Sequence, residues 1–107
     1  MINPNDEIQY IVDLIDDYAQ ADGWLAGLES YKSGLKALKM KDSSQPSIAG
    51  KEMDALASDD YINYCKELDA ARVKYTSLKL KIETAKMKVE VWRTEQATNR
   101  QIEKLTR

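Results

Sequence analysis

Residues 59–107 read DDYINYCKELDAARVKYTSLKLKIETAKMKVEVWRTEQATNRQIEKLTR, and this stretch decides the fold. Tyr61, Leu68, Tyr75, Ile82 and Val89 recur every seven positions, with Tyr64, Ala71, Leu78, Ala85 and Trp92 at the intervening d positions. A heptad pattern held for more than four repeats predicts one long helix with an apolar seam. A further seven-spaced column is basic: Arg72, Lys79, Lys86, Arg93, Arg100 and Arg107. Val73, Leu80 and Met87 form an apolar column away from the seam, and a helix with two apolar stripes needs two neighbours. Gln96 and Asn99 turn the seam polar near its end, where Ile102 and Leu105 follow in a shifted register.

Upstream of this helix, Ser58 is placed to cap it, with Asp59 and Asp60 in the first turn. The turn-rich segment KDSSQPSIAG, 41–50, contains Pro46 and predicts a hinge. A short helix over about 50–57 is expected between hinge and cap. The first helix, about 4–40, starts behind Asn3 as cap, with Pro4 at its first position and Asp6 and Glu7 at the positive end of the dipole. Ile11, Leu14, Tyr18, Ala21, Leu25, Leu28 and Leu35 mark its buried stripe, which Ile8, Ile15, Trp24, Tyr31 and Leu38 widen. Gly23, Gly27 and Gly34 each cost about 1 kcal/mol against alanine inside a helix. A close helix–helix approach, or a bend near Gly23, would account for them. The expected architecture is all-α, a single domain: an antiparallel helical hairpin or coiled coil, the second stripe assembling it into a dimeric four-helix bundle.

With 107 residues, 43% hydrophobic and 32% charged, the chain suits an extended helical protein better than a cofactor-binding enzyme of ordinary size. It has no histidine, the commonest general base and metal ligand, and one cysteine, Cys65, so no internal disulfide. Asp16–Asp17 and Asp59–Asp60 are neighbours in sequence, but adjacent helical side chains point about 100° apart and share no site. No Gly-rich phosphate loop or helical His motif occurs. These features predict no catalytic residue, cofactor or metal. No apolar run approaches the length of a bilayer span. A soluble cytoplasmic protein with no membrane partner is expected.

The basic column admits two readings. Residues 1–65 carry 5 Lys/Arg against 12 Asp/Glu, and residues 66–107 carry 11 against 6, net −7 and +5. The basic half suits nucleic-acid phosphates. Yet the acidic run 6–29 would face about residues 72–95 in a hairpin, and that complementarity selects the antiparallel pairing without a ligand. One column charge per about 10.5 Å is also sparse against duplex DNA, with a phosphate per about 1.7 Å. Intramolecular pairing is therefore the leading reading, except for Arg100, Lys104 and Arg107, which overhang the shorter first helix.

The stretch 79–100, KLKIETAKMKVEVWRTEQATNR, resembles the C-terminal part of small helical proteins encoded by phages and prophages. Ile82, Glu83, Glu90, Trp92, Arg93, Thr94, Glu95, Ala97 and Arg100 carry the likeness. The resemblance implies a phage-type origin, near early-region, recombination-linked genes, in a bacterial or phage-infected cell. It assigns no activity. The function expected is that of a non-catalytic accessory protein binding a protein partner through its helical faces and itself as a homodimer, with Val73, Leu80 and Met87 at the oligomer interface. The alternative is nucleic-acid binding through Arg93, Arg100, Lys104 and Arg107.

Overall fold

The computed structural model describes residues 2–106, and these form an all-α, three-helix fold. Helix α1 spans Pro4–Lys41, α2 Ile48–Ala57 and α3 Asp59–Thr106. Arg107 lies outside the described residues. The Asn3 side-chain oxygen accepts the Asn5 amide at 3.0 Å and so starts α1. Ser47 starts α2 at Ile48, two residues before the expected Gly50, because its hydroxyl accepts the Gly50 amide at 3.0 Å. Ser58, alone between α2 and α3, stays extended at φ −65° and ψ 146°. Its hydroxyl donates to the Ala55 carbonyl at 2.7 Å and accepts the Tyr61 amide at 3.2 Å.

The expected single domain divides into two compact units. Residues 20–75 form one, in which the end of α1 runs antiparallel to the start of α3, with α2 between them in sequence. Lys39 pairs with Asp60, whereas Glu29, further back along α1, lies 3.8 Å from Arg72, further along α3. Lys36 and Glu52 tie α1 to α2 at 2.5 Å. Leu35, Tyr61, Tyr64 and Leu68 form the core, with Leu25, Leu28 and Cys65 packed against it. The Tyr64 ring stands edge-on to Tyr31, centroids 6.3 Å apart, and its hydroxyl donates to the Leu28 carbonyl.

Residues 2–19 and 76–106 belong to the other unit. Glu7 lies 3.6 Å from Lys88, and Tyr18 lines a cavity with Lys79, Ile82, Glu83 and Lys86, so this pairing is antiparallel too. Leu78, Ile82 and Ala85 are buried, and Ile11, Leu14, Tyr18, Val89 and Trp92 are half-buried.

The glycines of α1 are not where helices approach closely. A Cβ on Gly23 or Gly27 would meet nothing within 4 Å. The alanines serve instead, for Ala21, Ala71 and Ala85 are buried to 2% exposure or less. Gly50 differs, because a Cβ there would sit 2.9 Å from the Gln45 Cβ and 3.0 Å from the capping Ser47 hydroxyl. The widened stripe of α1 is likewise open: Ile8, Ile15, Trp24, Tyr31 and Leu38 are all exposed.

Gly23→Ala and Gly27→Ala should each raise stability, by up to about 1 kcal/mol. Gly50→Ala should lower it, and urea melts of the three variants would show the opposite signs. Burial, with Tyr61 alongside, holds the Tyr64 hydroxyl above its ordinary value of 10.0, so the fold favours the neutral phenol. Lys39 is raised above 10.5, chiefly by its hydrogen bond to Asp60. Both contributions are complete below the ordinary values and disappear as pH rises through the raised ones. Tyr64→Phe should cost about 1 kcal/mol at neutral pH and soften the alkaline loss of stability, as read from melts at neutral pH and above pH 10.

Candidate functional site

Seven large apolar residues of α3 are exposed: Ile62, Val73, Leu80, Met87, Val91, Ile102 and Leu105. At about 100° per residue, all seven fall on one strip about 60° wide. Leu80, Val91 and Ile102 are eleven apart, the spacing that keeps side chains in line on a straight helix. Ile62 and Val73 belong to the 20–75 unit; the rest lie on the other. Leu80 and Met87 are 56% and 66% exposed, and the residues between them on this line, Thr84 foremost, carry no charge. In that unit the strip lies nearly half a turn from the buried Leu78, Ile82 and Ala85, so the α1 contact leaves it uncovered.

The expected interface residues Val73, Leu80 and Met87 thus lie on the strip, with none buried by the chain itself. Ile62 and Val91 were not singled out from the heptads. The eleven-residue spacing is their signal, because a seven-residue frame drifts off a straight line along the helix by about 20° per heptad.

A second ladder lies on α1 in the same unit. Ile8, Val12 and Ile15 are exposed at about half their surface, and Ala19 continues the line. Their spacing of four, three and four matches Leu80, Thr84, Met87 and Val91. This ladder sits about a quarter-turn from Ile11, Leu14 and Tyr18, the residues α1 turns toward α3.

The basic residues separate from one another. Of the seven at 72–93, Arg72 and Lys88 meet an acid of α1, Glu29 and Glu7 respectively. Arg93 donates to Glu90 on its own helix at 3.0 Å. Direct ion pairing therefore accounts for less of the basic column than expected, and loose exposed pairs contribute well under 1 kcal/mol each. Since Glu7 is abreast of Lys88, α1 runs out at about residue 91 of α3. Arg100 and Lys104 lie past that point and are exposed. An open hollow there is lined by Glu90, Trp92, Arg93, Thr94, Gln96, Ala97 and Arg100.

Among the described residues no three His, Cys, Asp or Glu side chains are grouped to hold a metal ion, and no helix is long and apolar enough to cross a membrane. Cys65 is a free thiol, half-buried beside the core. Compared with protein-family models, with curated proteins and with solved structures, the chain matches none.

Proposed function

We propose that this is a non-catalytic, phage- or prophage-type accessory protein that works in the cytoplasm by protein–protein interaction, self-association included. One observation carries the reading. Every exposed large apolar residue described on α3 lies on one strip, and scattered surface apolar residues would not align in this way. Seventeen large apolar side chains are exposed along the described chain, against six buried. That imbalance fits a helical hairpin whose core is completed by another chain, with a coiled-coil dimer as the smallest such assembly. Light scattering over a micromolar concentration series should show mass above the monomer. Leu80→Glu with Met87→Glu should remove it while helicity is retained; a wild-type monomer throughout would overturn the reading.

A second reading, nucleic-acid binding, is favoured by Arg100 and Lys104, which lie beyond the end of α1 with Arg93 nearby. Fluorescence anisotropy with single- and double-stranded oligonucleotides tests it. Affinity that falls steeply with salt, and falls again in Arg100→Ala with Lys104→Ala, is the expected signature. No binding at about 50 mM salt would end that reading.

A further inference from the structure

The two apolar ladders of one unit belong to different helices and point in different directions. The α3 ladder, Leu80, Thr84, Met87 and Val91, faces nearly half a turn from its seam, whereas the α1 ladder, Ile8, Val12, Ile15 and Ala19, faces about a quarter-turn from its own. A closed four-helix bundle instead needs each helix to present one continuous face, seam and interface adjoining. Contact between like faces also leaves one ladder bare: a twofold pair joined through α3 still exposes Ile8, Val12 and Ile15.

We propose that each ladder is the other's occupant, so that the α3 ladder of one copy docks on the α1 ladder of the next. Resting on the self-association proposed above, this specifies its geometry. Three observations favour the unlike pairing. The spacing of four, three and four is common to both ladders and reads the same in either direction, so the side chains interdigitate as in a coiled-coil seam. The α1 ladder tapers from isoleucine to Ala19, leaving room for Leu80 or Val91 to seat. Charge decides between like and unlike contacts. Residues 4–19 hold five acids, Asp6, Glu7, Asp13, Asp16 and Asp17, and no base; residues 76–106 hold seven bases and four acids. Like faces would set −5 against −5 or +3 against +3, whereas unlike faces set −5 against +3.

Such a contact is heterologous. It leaves one free ladder at each end, so copies add until a ring closes or continue as an open chain. Mass should therefore grow past the dimer with concentration.

Complementation tests this in the full-length chain. One variant carries Val12→Glu and Ile15→Glu, the other Leu80→Glu and Met87→Glu. All four sites are exposed in the single chain, and circular dichroism with thermal melts verifies that both variants stay folded. Each variant alone should be monomeric, its self-affinity reduced by at least about 100-fold. Mixed, they should form a one-to-one dimer that grows no further, because the intact α1 ladder of one meets the intact α3 ladder of the other. If the Val12→Glu, Ile15→Glu variant still dimerises alone, the contact is α3 on α3, and this inference fails while self-association stands. Two variants that stay monomeric when mixed, beside a wild type that associates, would also overturn it. A wild type that never associates removes both.

Discussion

Two helices lying side by side can bury only the strip that each turns toward the other, and this limit governs the rest of the structure. In both units the strip is narrow: alanines at 21, 71 and 85 set the close approach, and tyrosines and leucines fill around them. No large side chain is fully buried. A core of this kind contributes modestly to stability, since folding of small chains depends on the fraction of apolar surface removed from water. Half-buried residues such as Val89 and Trp92 gain only part of the transfer free energy available to them.

The limit explains why local devices matter here. Asn3, Ser47 and Ser58 each satisfy amides at a helix start, and the Tyr64 hydroxyl satisfies a carbonyl of α1. Acidic first turns and basic last turns on α1 follow the helix dipole. Ion pairs between the helices are few and exposed, so charge chooses the direction of pairing more than it stabilises it. The acid-rich start of α1 would repel a parallel neighbour beginning with Asp59 and Asp60.

Much of this was legible in the residues themselves. The heptads of α3, the caps at Asn3 and Ser58 and the break before Pro46 are written in local chemistry, which acts over a few residues. The outer face of α1 was not legible. Ile8 and Ile15 are spaced like core residues, and only the angular width that α3 can cover leaves them outside. The glycines misled for a related reason: small residues permit close approach without requiring it, and Gly23 and Gly27 fall on a side of α1 that no helix of this chain reaches. The basic column read as an intramolecular partner of the acidic run, but long lysine side chains in water need not close onto their opposites. Of the candidate site, Val73, Leu80 and Met87 could be named from their spacing. Val91 and Ile62 needed the straight line of the folded helix.

The single-residue joint at Ser58 carries a kinetic consequence. Its one hydroxyl holds the last turn of α2 through the Ala55 carbonyl and the first turn of α3 through the Tyr61 amide. Neither helix can fray at that end without releasing a bond that serves the other. Amides of α2, a ten-residue helix too short to persist alone in water, should therefore exchange with solvent on the timescale of the first turn of α3 rather than on that of an independent peptide.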